Sequence, residues 1–212
     1  MTHTRRPRRT GRVFIISAPS GAGKTTLITE ALRRMPQLTR SVSVATRPRR
    51  SGERDRRDYY FVSPARFKQY RRQRQLLEAA RVHQHWYGTR RRPVEQALRR
   101  GRDVLLNIDV QGARQVRRQW PSSVLIFILP PSMESLRRRL QQRRTEPPAE
   151  IRARLALARR ELRAAAWYDY AVVNDDLQRA LGELQAIIIA EHCRVQPRRS
   201  RTQTHTITKV QR

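Results

Sequence analysis

Short apolar runs alternate along the chain with stretches whose apolar positions recur at helical spacing. Val13–Ile16 precedes Leu27–Leu32, Val104–Ile108 precedes Val116, Val124–Leu129 precedes Leu136–Leu140, and Ala171–Val173 precedes Leu177–Ile189. Unbroken apolar runs suit strands buried on both faces, and the helical stretches suit crossovers between them, so the pattern predicts βαβ units around a parallel sheet. The texture changes between the first helix and the Val104 strand. Short β-like pieces at Ser41–Ala45, Tyr59–Val62 and Leu76–Val82, with aromatics at Trp86 and Tyr87, predict an inserted mixed α/β subdomain. A second interruption runs from Arg137 to Arg154, dense in arginine and broken by Pro147-Pro148, and predicts a hinged helical lid. The tails at 1–9 and 195–212 are basic and too poor in apolar residues to bury, so they read as disordered. There is no internal repeat.

Composition narrows the class. At 212 residues the chain suits one α/β domain or a core with inserted subdomains. The lone Cys193 excludes an internal disulfide and a cysteine-clustered metal site, which fits a cytoplasmic setting. Residues 1–11 lack the apolar stretch of a signal peptide, and nowhere do the roughly 18 apolar residues of a membrane span run together. A formal charge of +30 invites a nucleic-acid reading. However, only Lys24, Lys68 and Lys209 among the 47 basic residues are lysine, and the arginines are scattered along predicted helices, as at Arg33-Arg34, Arg71-Arg72 and Arg159-Arg160. Attraction to phosphate does not exclude lysine so consistently, so a bias toward arginine explains the charge better than a dedicated surface; nonspecific nucleic-acid binding at low salt follows from it all the same.

Candidate chemistry begins at Ala18-Pro19-Ser20-Gly21-Ala22-Gly23-Lys24-Thr25, between the first strand and the first helix. Glycines in a strand-to-helix turn let backbone N–H groups point inward at a polyphosphate. Lys24 can then reach the β and γ phosphates, and the Thr25 hydroxyl can face Mg²⁺. Ala18 stands where the G-x-x-x-x-G-K-[ST] string has its first glycine, so the flanking strand and helix carry the reading. Further on, Arg47, Arg49 and Arg50 share a short turn that can clamp a dianionic phosphate. Tyr59, Glu78, Tyr87, Gly88 and Thr89 follow: two phenols to complete a phosphate site, and a carboxylate that can accept the paired N–H donors of guanine. Adenine presents an acceptor on the same edge. Packed aromatics and an exposed strand carboxylate are the competing readings of these positions.

In order, Ser17–Thr25, Thr46-Arg47 with Arg50-Ser51-Gly52-Glu53, Asp58-Tyr59, Tyr87-Gly88-Thr89, Ile108-Asp109-Val110-Gln111-Gly112, Pro130-Pro131-Ser132 and Val173-Asn174-Asp175-Asp176 make a chain that resembles the guanylate kinases, from about Arg12 to Arg194. Those enzymes phosphorylate GMP with ATP. The resemblance implies a P-loop NTPase-type parallel sheet flanked by helices in a unit spanning 10–194, with a core at 10–40, 102–136 and 156–194. It also implies an inserted mixed α/β GMP-binding subdomain at 41–101 and a helical lid at 137–155. Carried over by position, it implies that residues 18–25 and Asn174 hold ATP, with Thr25 on the Mg²⁺ that accompanies it. Arg47, Arg50, Tyr59 and Tyr87 would hold the GMP phosphate, and Ser43, Glu78, Thr89 and Asp109 the guanine. Lys24, Arg139, Arg143 and Arg154 would stabilise the transferring group.

Two departures accompany the match. Asn107 stands where relatives carry Asp, and strand alternation puts it on one face with Asp109, which removes a negative charge near the phosphates. Arg144 replaces a lid glycine. Phosphoryl transfer needs alignment and charge neutralisation more than a base, so His83 and His85 read as surface or packing residues. A guanylate-kinase-like interaction module without catalysis, and a P-loop kinase of another phosphorylated substrate, are the alternatives.

Overall fold

The computed structural model describes residues 10–82, 84–142 and 148–195. The predicted tails, apart from Val195, and the calls on His83, Arg143, Arg144 and Pro147 lie outside them.

Five parallel strands form the main sheet in the order β2-β7-β1-β8-β9: β1 Val13–Ser17, β2 Leu38–Arg40, β7 Asp103–Asn107, β8 Val124–Leu129 and β9 Tyr170–Val173. Every residue of β1 is buried, as a central parallel strand requires. Alternate residues serve the two faces. Phe14 and Ile16 pack with Leu27 and Ile28 of α1 (Lys24–Arg34) and with Leu181, Leu184 and Ile188 of α7 (Leu177–Cys193). Val13 and Ile15 pack with Val94 and Leu98 of α3 (Arg91–Arg99) and with Ala113 and Val116 of α4 (Val110–Gln119). The predicted α/β fold is what forms, a parallel sheet flanked by helices.

The segment between α1 and β7 makes a second sheet in the order β4-β3-β6-β5: β3 Ser43–Ala45, β4 Tyr60–Phe61, β5 Leu76–Val82 and β6 His85–Arg90. Its β3–β6 and β5–β6 pairs are antiparallel. One face is closed by α2 (Pro64–Arg72), whose buried Phe67 packs with Val44, Leu76 and Trp86. Three elements here escaped the hydrophobic pattern. Strand β2 is three residues long and exists through its pairing with β7. Helix α2 buries only Phe67, so it has no apolar stripe; its local mark is Ser63-Pro64, where the Ser63 hydroxyl accepts from Arg66 N–H and Pro64 opens the helix. Helix α3 shows only Val94 and Leu98, four apart, inside an arginine-rich stretch.

The expected lid region holds a packed helix pair, α5 (Met133–Gln142) and α6 (Pro148–Leu162), joined by Leu136, Leu140 and Ala158 with Ile151 and Leu155. Among the described residues no helix is long and apolar enough to cross a membrane.

Candidate active site

At the end of β1 the Ser17 hydroxyl donates to the Ile108 carbonyl at 2.9 Å, tying the strand to the one beside it just where the loop begins. Gly21 and Gly23 take φ values of +92° and +84°, a left-handed backbone that side chains resist, so the loop turns back on itself there. Ala18 has no such need: its φ is ordinary and its methyl is buried in the core, which is why alanine can stand at that position. The N-cap of α1 is Gly23, with no side chain to satisfy the first amides and no acid in the first turn. Those N–H groups, with the positive end of the helix dipole behind them, are free for an anion. The loop carries Lys24 in its floor and Thr25 on its exposed rim.

Two further elements hold the loop. After β9 the buried Asn174 amide donates to the Ala22 carbonyl at 2.7 Å, occupying the space a Cβ on Gly23 would need. The residue expected to hold ATP thus commits its side chain to bracing the loop. Above the loop, Leu136 and Leu140 of α5 stand 3.0 and 3.2 Å from where a Gly21 Cβ would lie. The half-buried Arg139, one helical turn on, donates to the Asn174 carbonyl at 3.2 Å, whereas Arg137 and Arg138 face outward. Arg154, on α6, is ion-paired to Glu150 at 3.2 Å.

Lys24 Nζ lies 3.5 Å from the Ile108 carbonyl. Burial pushes its ammonium down to about 8, against the pull of Glu161 and Asp109. Glu161, near the end of α6, is pushed up to about 7 by the same burial, with Lys24 opposing. The sequence reading missed Glu161, since nothing marks one carboxylate in Arg159-Arg160-Glu161; only the packing of α6 brings it to the loop. It adds a titratable carboxyl facing Lys24 in a chain that has Asn at 107. The expectation that Asn107 and Asp109 share a strand face fails: β7 ends at Asn107, and Asp109 is the N-cap of α4, its carboxylate accepting from Gly112 N–H at 2.8 Å.

Asp109 also begins the second half of the site. The small sheet's register sets Ser43 opposite Thr89 and Thr89 opposite Glu78, a row across β3, β6 and β5 whose side chains share one face. Glu78 is 3 % exposed, which removes the exposed-carboxylate reading. It accepts from the Thr89 hydroxyl at 2.7 Å. Burial pushes its carboxyl up to about 8, Asp109 adding to the effect and the Thr89 hydroxyl opposing it. The buried Arg47 donates Nε to the Tyr87 hydroxyl at 3.2 Å, and its guanidinium lies 5.0 Å from the Tyr59 ring centre. The Tyr59 and Tyr87 rings meet edge to face at 6.0 Å, so the two phenols are both packed and beside the cation. Both Arg47 Nη atoms are engaged by Glu53, at 2.5 and 2.7 Å, which holds the Glu53 carboxyl at about 2 and the guanidinium still more firmly charged. Arg50 joins through its backbone N–H to Glu53, and its side chain is exposed.

The predicted residues therefore fall into three linked groups: the loop with Asn174 and Arg139; Ser43, Glu78, Thr89 and Asp109; and Arg47 with Tyr59 and Tyr87. No cluster of three or more His, Cys, Asp or Glu side chains suited to a metal occurs among the described residues. The oxygen donors near the loop, Thr25 foremost, suit a hard cation that arrives with phosphates of its own.

Comparison with known proteins identifies the family. The guanylate kinase family profile matches residues 10–191. The guanylate kinase of Syntrophotalea carbinolica is 49% identical over 91% of this chain and 92% of its own length, and that of Desulfitobacterium hafniense 47% identical over 87% and 92%. The crystal structure of guanylate kinase from Anaplasma phagocytophilum is similar with a TM-score of 0.72 and 33% identity, covering 88% of each chain. With the profile running from the first described residue into the last turn of α7, and near-half identity over nine-tenths of the length, this chain belongs to the guanylate kinase family.

Proposed function

We propose that the chain transfers the γ-phosphate of ATP to GMP, giving ADP and GDP. The observation that carries the choice of acceptor is the buried Glu78 carboxylate, set across from Thr89 and beside Asp109. Guanine presents adjacent donors at N1 and N2 that an ionised carboxylate satisfies, whereas adenine would set an acceptor against it and leave a buried charge unpaired.

Chemically, a phosphate oxygen of GMP attacks the γ-phosphorus and the bond to the β–γ bridging oxygen breaks, leaving ADP. The acceptor phosphate is already ionised at neutral pH, so the chain has to supply alignment and positive charge rather than a base. Lys24 and the amides of residues 20–25 hold the donor phosphates. Arg47 and Arg50, with the Tyr59 and Tyr87 hydroxyls, hold the acceptor. Arg139, Arg143 and Arg154 reach the transferring group when the α5–α6 pair closes and excludes water. Mg²⁺ bound with ATP supplies further charge neutralisation, with the Thr25 hydroxyl as its protein ligand. The small sheet, 41–101, is the acceptor subdomain and 137–155 the lid. None of the assigned groups reads the ribose 2′-hydroxyl, so dGMP is a substrate as well. The role is GMP recycling in purine nucleotide metabolism, in the cytoplasm.

The test is a coupled ADP-release assay with ATP, Mg²⁺ and a panel of GMP, dGMP, AMP, UMP and CMP. Turnover with GMP and dGMP alone is expected. Equal turnover of AMP, or no ADP release with GMP, overturns the proposal.

A further inference from the structure

Strand β5 is an edge strand of the small sheet, so its outward N–H and C=O groups have no neighbouring strand to pair with. The side chains of α4 take that place. Gln115 accepts from Ala79 N–H at 3.0 Å and donates its Nε2 to the Ala79 carbonyl at 2.9 Å, and Gln119 donates to the Leu77 carbonyl at 2.7 Å. These contacts bracket Glu78 on both sides. One turn before Gln115 on the same face, Gly112 presents bare backbone: a Cβ there would stand 2.8 Å from Glu78 Oε2 and 3.4 Å from Asp109 Oδ1. Meanwhile the Gly112 N–H orients the Asp109 carboxylate.

We propose that Gly112 and Gln115 are positioning residues for base selection, fixing the Glu78 carboxylate at one height beside Asp109 so that it reads the acceptor base. The reasoning is steric and directional. Because Asp109, the N-cap of α4, follows the Ile108 carbonyl that Lys24 and Ser17 share, Glu78 takes its position from the phosphate floor as well as from its own sheet. Any side chain at 112 must push the carboxylate away, since 2.8 Å is closer than carbon and oxygen tolerate. The inference rests on the reading of Glu78 as the guanine acceptor.

The experiment compares Gly112→Ala, Glu78→Asp and the double variant, with Gln115→Leu alongside. Gly112→Ala is expected to raise KM for GMP about tenfold, the scale of one displaced hydrogen-bonding group, with kcat and KM for ATP within about twofold. Shortening the carboxylate makes room for the new methyl, so the double variant should have a lower KM for GMP than the product of the two single effects predicts. Gln115→Leu should raise KM for GMP several-fold by releasing Ala79, again without a change in kcat, and it supplies the test if Gly112→Ala does not fold. A folded Gly112→Ala with unchanged KM for GMP, simple multiplication in the double variant, or an equal loss in kcat and both KM values overturns the inference. Failure of the underlying reading looks different: the parent protein would not phosphorylate GMP, or Glu78→Gln would keep full preference for GMP over AMP.

Discussion

In the proposed reaction the phosphate loop and the small sheet each hold an anion, and they are prepared for it in opposite ways. The loop is preformed and unsatisfied. Its glycines fix the turn, Asn174 and the Leu136–Leu140 ridge hold it from behind and above, and the first amides of α1 have no side-chain cap. The small sheet is satisfied before any ligand arrives: Arg47 is engaged by Glu53 and Tyr87, and Glu78 by Thr89. Backbone amides in a loop keep their direction without a partner, whereas a buried guanidinium or carboxylate costs several kcal/mol if left unpaired. Side-chain recognition therefore comes with stand-in partners that the substrate must displace or share.

That contrast can be broken by substitution. The largest effect is expected at the preformed side: Lys24→Ala should lower kcat about 10²–10³-fold, the scale of losing one preorganised charge partner, and steady-state kinetics at saturating ATP and GMP would show it. On the pre-paired side, Arg47→Ala should raise KM for GMP about 10–100-fold while KM for ATP holds, as loss of a charge-assisted pair implies; Glu53→Gln should have a smaller effect on the same constant, because it removes the partner and leaves the cation.

Glu78 gives the comparison a pH axis. Its folded pKa of about 8 lies above the ordinary carboxylate value, so the folded protein holds that proton more tightly than the unfolded chain. The resulting stability is present below pH 4.5 and is lost as pH rises through 8, by about 5 kcal/mol. Thermal midpoints across that range should fall more steeply for the parent than for Glu78→Gln, where the slope that remains belongs to groups such as Glu161. Since the proposed guanine contact needs the ionised carboxylate, affinity for GMP should rise over the same interval, and calorimetry at pH 6 and 8.5 would detect the proton released. The smallest effect belongs to the brace: Asn174→Ala leaves the Ala22 carbonyl unpaired, at a cost of about 1 kcal/mol in stability, with a several-fold rise in KM for ATP and none for GMP.

Legibility along the chain followed how local each feature is. Strands β1, β7 and β8 were visible because a doubly covered parallel strand is a continuous apolar run, and helices α1, α4, α5 and α7 because each repeats apolar residues at helical spacing. The loop was visible because its glycines, Lys24 and Thr25 are contiguous. Ser43, Glu78 and Thr89 could be named by resemblance, yet their standing in one row depends on the β3–β6–β5 register, including the bulge between Leu76 and Glu78. Glu161 and Gln115 had no local signal at all: each is an ordinary polar residue on a helix whose partner lies 36 residues or more away in sequence.

The sequence by itself determined the parallel α/β core, the glycine loop between β1 and α1 and the family, because these rest on local periodicity and on contiguous or ordered motifs. Tertiary structure alone decided that Asp109 caps a helix rather than ending a strand, that Asn174 braces the loop, and that Gly112 leaves Glu78 its place. Those are facts about which surfaces meet, and close packing sets them only once the chain has folded.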